Sequence, residues 1–152
     1  AYKKSFSNIF NFYKKNQKKT DFYELIISDT FGKNDFRNKI LNNIRENYQK
    51  KKITKIISKN LYLNLLNISD IINAINFILK KKITPKKYVL KNKIDIKIFE
   101  LIRTFNNKNK NKIKVKWLSS NLIRKKIYPY DNLKGWKPKN SNVGDMINYI
   151  RY

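Results

Sequence analysis

Apolar positions recur along the chain at two periods. Phe36, Ile40, Leu41, Ile44 and Tyr48 fall at spacings of four, one, three and four, one face of a 3.6-residue helix. Asp35 stands where an N-cap would, and the other face carries Arg37, Asn38, Asn42, Asn43 and Arg45. Residues 49–52 break the pattern, and the β-branched run 53–57 reads as a short strand. Ser58 then caps a second helix with Leu61, Leu65 and Ile68 on its apolar face. Residues 69–79 fit a helix through Ile71, Ile72, Ile75, Ile78 and Leu79, and fit a buried strand equally well as an apolar run. Thr84-Pro85 is a turn, 88–90 is strand-like, and Ile94, Ile96 and Ile98 alternate as a strand does. Residues 100–105 read as a short helix and 106–112 as a basic loop. The run 113–118 alternates, sending Ile113, Val115 and Trp117 to one face and Lys114, Lys116 and Leu118 to the other. Residues 128–139, with Pro129, Gly135 and Pro138, are a loop, and 146–150 closes as a strand. Upstream, 22–28 is a short strand or helical turn and 32–34 a turn. Residues 1–20 form a basic arm without acids; a targeting presequence is the rival reading, but such segments favour Arg, which this one lacks. No internal repeat is visible.

The pattern predicts an α+β fold, helices mainly early and strands mainly late. It divides into a basic extension (1–34), an N-terminal α/β subdomain (35–83) of helix-strand-helix with a short sheet, and a β-rich C-terminal subdomain (84–152). The last is mostly antiparallel, with one short helix and an inserted loop at 128–139.

Charge changes the picture more than length does. Among 152 residues, 36 Lys and Arg face 10 Asp and Glu, a net charge of +26. Such a density opposes compaction unless a polyanion or salt screens it. Lys, Asn, Ile and Tyr make up more than half of the chain. Their codons are A/T-rich, so mutational bias accounts for part of the Lys excess, but not for the scarcity of acids. The excess as a whole reads as polyanion binding. Leu, Ile, Val and Phe are plentiful enough for a packed core. The absence of His and Cys excludes imidazole bases, thiolate nucleophiles and the usual zinc sites. Three glycines cannot build a phosphate-cradling loop. No cofactor or metal is expected, and no acid pair looks catalytic. The most apolar stretch, 60–79, is interrupted by Asn and Asp and is poor for a bilayer span.

The order of elements resembles the bacterial and organellar family of small-subunit ribosomal protein eight. That family opens on Asp-Pro-Ile-Ala-Asp-Met-Leu-Thr-Arg-Ile-Arg-Asn-Ala; here 35–47 reads DFRNKILNNIREN, with Asp35, Leu41, Ile44 and Arg45 in place. Its Ser-Lys-Leu matches Ser58 and Lys59, its Ile-Ser-Lys-Pro-Gly turn Ile83, Thr84 and Pro85, and its Glu-Ile-Pro-Lys-Val-Leu-Asn helix 100–106. Its Ser-Thr-Ser loop resembles Ser119, Ser120 and Asn121, and its ending resembles 144–150. The likeness covers 35–152, lacks the loop glycines, and favours sheet for 69–79.

The resemblance implies a non-enzymatic structural constituent of a small ribosomal subunit, in the mitochondrial matrix, that binds rRNA and neighbouring ribosomal proteins. It implies no membrane span and no small-molecule substrate. The rRNA-binding residues would be Arg37, Asn42, Asn43, Arg45, Ser58, Lys59, Thr84, Lys86, Lys87, Ser119, Ser120 and Asn121. Cations would pair with phosphates and hydroxyls would reach riboses in the shallow minor groove. A solvated helix face and an ordinary strand-end turn are the plainer readings of the same residues. Trp117 is expected in the core, and Trp136 either stacks on a base or packs on protein. The alternatives are an organellar nucleic-acid enzyme resembling a homing endonuclease, and an accessory subunit of an inner-membrane complex.

Overall fold

The computed structural model describes residues 2–17, 19–119 and 132–152. The chain opens in helix α1 (Tyr2–Asn16), where an arm was expected. Phe6, Ile9, Phe10 and Tyr13 share one helical face there, and Phe10 meets the ring of Phe22 edge-on at 5.3 Å. Strand β1 (Glu24–Ile27) and strand β2 (Asp29–Phe31) follow, then α2 (Ile40–Gln49), β3 (Thr54–Ser58), β4 (Tyr62–Leu63) and β5 (Leu65–Asn67). Next come α3 (Ile68–Lys81), β6 (Lys87–Leu90), β7 (Ile96–Lys97), α4 (Ile98–Lys108), β8 (Val115–Ser119) and α5 (Val143–Arg151).

The α+β class stands, but the arrangement differs from the expected one. Among the described residues β1 pairs with β6, β2 with β5 and β3 with β8, all parallel; β4 with β7 is antiparallel. The expected antiparallel C-terminal sheet is therefore replaced by strands that return to partners far upstream. Parallel neighbours need a long crossover, so helices and strands interleave along the whole chain.

Three element assignments change, each for a local reason. Helix α2 starts at Ile40, not near Asp35, because Asp35 is bound up with Arg37 and cannot cap; Phe36 is left exposed. Ser58 opens no helix. It is the buried end of β3, its hydroxyl accepts the N–H of Asn60, and the chain continues as β4 and β5. Residues 146–150 are helix, not strand: Asn142 and Asp145 form a reciprocal capping box, and Met146, Ile147 and Ile150 bury one face of α5.

Residues 69–79 are helical, as their own periodicity allowed and against the sheet that the family likeness favoured. Asn67 caps α3 by accepting the N–H of Ser69 at 3.0 Å, and Ile71, Ala74 and Ile78 bury one face. The expected strand 94–98 survives only as β7, and Ile98 starts α4. The alternation in β8 is as read: Lys116 and Leu118 are exposed, while Trp117 lies partly buried against the core.

Two apolar clusters hold these elements. The larger gathers Phe31, Leu41, Ile44, Ile56, Leu101, Phe105 and Ile150 between α2, α4 and α5. The smaller packs Ile71, Ala74 and Ile78 of α3 on Tyr88 and Leu90 of β6, with Tyr23 and Leu25 at its rim. Each fully buried Leu, Ile or Phe contributes about 1.5–3 kcal/mol relative to exposure. No described helix is long and apolar enough to cross a membrane.

Candidate functional site

Beyond the carboxyl end of β2 the chain turns at Gly32 and runs to α2. Asp35 is buried in this turn. Arg37 grips its carboxylate with two side-chain donors, Nε to Oδ1 at 2.7 Å and Nη2 to Oδ2 at 2.6 Å, and with its backbone N–H at 3.2 Å. The same Nη2 donates to the Thr30 hydroxyl at 2.7 Å, tying the turn to β2. These hydrogen bonds hold the Asp35 carboxyl below the usual carboxylate range and make Arg37 harder to deprotonate.

Asn42 lies in the first turn of α2 and is buried. Its amide donates to the carbonyls of Asp35 and Arg37, the latter at 2.9 Å, and its oxygen accepts the Tyr149 hydroxyl from α5. Burial pushes the Tyr149 phenol up, with the nearby Arg45 cation opposing. The Arg45 guanidinium stacks 4.6 Å from the centroid of the Tyr149 ring. Its Nε is buried and has no hydrogen-bond partner. The cluster therefore contains one neutralised pair, Asp35–Arg37, and one cation whose Nε donor is unspent. Such a donor suits a phosphate or carboxylate oxygen.

Of the expected site residues, Arg37, Asn42 and Arg45 meet in this cluster, and Asn43 sits half-buried beside them on α2. The others lie elsewhere. Ser58 and Ser119 face each other in the β3–β8 register, and Lys59 follows with its ammonium 5.7 Å from the Phe99 ring centroid. Thr84, Lys86 and Lys87 lead into β6: the Thr84 carbonyl accepts the Tyr88 hydroxyl, Lys86 lies over the Tyr88 ring, and Lys87 pairs with Glu24 at 2.9 Å. Ser120 and Asn121 fall outside the described residues.

Sequence reasoning missed Thr30, Tyr149 and Asp70. Asp70, fully buried, accepts the backbone N–H groups of Lys139 and Asn140, both at 2.9 Å, and the Ser141 hydroxyl at 2.5 Å. It latches the loop before α5 onto α3. Beside that loop lies a cavity of about 540 Å³, lined among others by Tyr62, Asn92, Asp95, Lys97, Glu100 and Lys139. Tyr149 is partly buried, and no signal in the sequence pointed at it.

No group of three or more acids that could hold a metal occurs among the described residues. The glycines form no phosphate cradle either. A Cβ at Gly32 would lie 3.1 Å from Ile68 Cγ2, at Gly135 3.3 Å from Phe77 Cζ, and at Gly144 2.9 Å from Asn142 Oδ1. Each glycine faces a side chain of this chain.

No protein-family model and no curated protein matches the sequence. Solved structures do match. UDP-glucose 4-epimerase from Thermotoga maritima, with UDP-glucose, superposes with a TM-score of 0.68 at 15% identity, over 95% of this chain and 49% of that one. UDP-glucose 4-epimerase from Stenotrophomonas maltophila, with NAD and formylated UDP-arabinopyranose, gives 0.70 at 10% identity, over 95% and 50%. dTDP-glucose 4,6-dehydratase from Bacillus anthracis, with NAD, gives 0.64 at 17% identity, over 93% and 47%. These matches overturn the likeness to small-subunit ribosomal protein eight. With it go the non-enzymatic ribosomal role, the rRNA and ribosomal-protein partners, and the exclusion of a small-molecule substrate. The endonuclease and inner-membrane alternatives gain no support. At such low identity it is the fold that is shared, and the chain spans about half the length of the proteins it matches.

Proposed function

We propose that residues 1–152 are the sugar-nucleotide-receiving part of a nucleotide-sugar epimerase or dehydratase, and that the dinucleotide is held by a part of the fold outside these residues. The superposition of 95% of the chain on an epimerase bound to UDP-glucose carries this reading. The glycines support this choice of part. A dinucleotide pyrophosphate needs closely spaced glycines at a strand-helix turn, and Gly32, Gly135 and Gly144 are scattered and occupied. The residues present therefore do not fit NAD, and no hydride step is assigned to them. The seat for the sugar nucleotide is placed beyond the carboxyl end of β2, the end at which ligands of α/β folds collect. There Arg45 carries a cation, with an unpartnered Nε, that would meet the charge of a diphosphate.

The test is a titration of UDP-glucose into the isotope-labelled chain, followed by amide shifts. Shifts should concentrate at residues 29–45, with a dissociation constant of about 1 mM, roughly 4 kcal/mol. Arg45→Gln should weaken binding about tenfold, the effect of one hydrogen bond to a charged group. NAD should leave those amides unmoved. Equal shifts from inorganic pyrophosphate at matched ionic strength, or shifts from NAD alone, would show the assignment to be wrong.

A further inference from the structure

A cleft of about 370 Å³ opens where the end of α2 meets the segment leading into β8. Tyr48, Lys51 and Lys52 line it from the first segment, and Asn111, Lys112 and Lys114 from the second. None of its lining residues is acidic. The two groups of lysines are far apart in the sequence, and the β3–β8 pair brings them together: the Thr54 N–H donates to the Lys114 carbonyl at 2.9 Å, with Thr54 opposite Val115. All four lysines are exposed, and none pairs with a carboxylate among the described residues. Glu46, the acid that precedes them on α2, faces Lys50 instead, at 3.7 Å.

Both sides of the cleft are held in place. Asn106 donates to the Ile113 carbonyl at 3.2 Å and accepts the Ile113 N–H at 2.7 Å, which closes the basic run 106–112 into a loop. Asn109 donates to the Phe105 carbonyl at 2.7 Å and accepts the Arg151 guanidinium at 2.8 Å. Lys112 donates to the carbonyls of Asn106 and Asn109, the latter at 2.8 Å. On the other side, the carbonyl end of a helix by itself disfavours an anion. That end of α2 is closed: the N–H groups of Lys50, Lys51 and Lys52 reach the carbonyls of Glu46, Tyr48 and Asn47 at 2.9, 3.1 and 2.7 Å. The Tyr48 ring is fixed edge-on to Phe105 at 4.9 Å. Four like charges are thus gathered on a fixed frame, where a loose loop would let them part. Their mutual repulsion is relieved by an anion taken up between them.

We propose that this cleft binds an oligophosphate, two or more linked phosphate groups, at a site separate from the sugar-nucleotide seat. One phosphate carries about two negative charges at neutral pH, which answers half of the four ammoniums; a chain of phosphates answers all of them. Each ammonium has three rotatable donors, which suit the many equivalent oxygens of such a chain, and the Asn111 amide adds two more. The volume falls within the range of small-molecule sites, about 300–1,000 Å³, which favours a short anion over an extended polymer. The cleft follows α2, at the amino ends of β3 and β8, whereas the seat precedes α2, beyond the carboxyl end of β2. It shares no residue with the Asp35–Arg37–Arg45 cluster and does not rest on the sugar-nucleotide reading. A nucleoside triphosphate and a free inorganic oligophosphate present the same chemistry to it.

The test is a titration of inorganic triphosphate into the full protein at constant ionic strength, read by calorimetry and by amide shifts. One site is expected, with shifts concentrated at residues 47–52 and 111–114. The double substitution Lys51→Gln/Lys114→Gln, at exposed positions, should weaken binding about tenfold or more while Tm of the free protein is kept. Lys81→Gln/Lys93→Gln removes the same charge at exposed positions outside the cleft. It should leave affinity within about twofold, because charges beyond the screening length contribute little. UTP identifies the source: affinity above that of triphosphate assigns the cleft to a nucleotide, and equal or lower affinity to a free phosphate chain. Several weak sites, an equal loss in both double variants, or the same shifts from sulfate at matched ionic strength would each overturn the proposal. So would a poly(U) RNA that displaces triphosphate at a lower phosphate concentration, which would make the cleft part of an extended polyanion surface. Shifts at 29–45 report the sugar-nucleotide seat, so failure of that reading and failure of this one are seen separately.

Discussion

At the scale of single residues, Asp35 does the work of several backbone contacts. Its carboxylate is bound by both ends of Arg37, and its carbonyl is held by Asn42, which in turn receives Tyr149 from the far end of the chain. Replacing Asp35 by Asn keeps the shape and removes the charge that Arg37 faces, a loss of about 1–3 kcal/mol. The dependence on pH has a definite sign. Folding depresses the Asp35 carboxyl below its ordinary value of 3.8, so the unfolded chain takes up that proton first on acidification. The contact's stability is complete above the ordinary value and is lost as pH falls through the folded one. Urea midpoints of the parent should therefore fall more steeply below about pH 4 than those of Asp35→Asn. Parallel pH profiles would mean that the pair adds nothing to stability. None of this was legible in the sequence: Asp before an apolar helical stripe reads as a cap, and only the fold brings Thr30, Asn42 and Tyr149 round it.

At the scale of elements, caps explain where sequence periodicity succeeded and where it misled. The run 69–79 was open between helix and strand, and the Asn67 side chain settles it by satisfying a first-turn N–H. The last segment was read as a strand because its apolar residues are few and its length short. Its signal was the Asn142–Asp145 box, which satisfies two end groups at once, at 2.9 and 3.0 Å. Asn142→Ala should cost about 1 kcal/mol. Because α5 buries Met146, Ile147 and Ile150 in the main cluster, the loss should appear as a lower global Tm and not as local fraying. A helical end that melts while Tm is unchanged would show α5 to be an appendage.

At the scale of the whole molecule, +26 remains the dominant fact. The described ion pairs, Asp35–Arg37, Asp29–Lys39, Glu46–Lys50, Glu24–Lys87 and Glu100–Arg103, engage five acids and leave most cations without a carboxylate. Repulsion among those cations acts over about 10 Å at 0.1 M salt and about 3 Å at 1 M. Tm should therefore rise with sodium chloride between about 0.05 and 0.5 M. A fall over that range would place net attraction, not repulsion, among the surface charges. The charge also misdirected the functional reading. A basic chain suggests a polyanion, but a diphosphate-bearing sugar is an anion too, and net charge does not distinguish a long anion from a small one.

The sequence by itself determined the local periodicities: the α2 stripe, strands β3, β6 and β8, helix α4, and the scattering of three glycines that denies the chain a dinucleotide cradle. Each depends on residues within a few positions of one another, where spacing alone carries the information. Only the tertiary structure decided which strands pair, that they run parallel, and that Asp35, Asn42 and Tyr149 share a site. Those facts join positions far apart in the chain, Asn42 and Tyr149 among them. A strand's alternation is the same whether its neighbour runs parallel or antiparallel. Pairing was settled by which apolar faces could be buried together, a property of the folded chain.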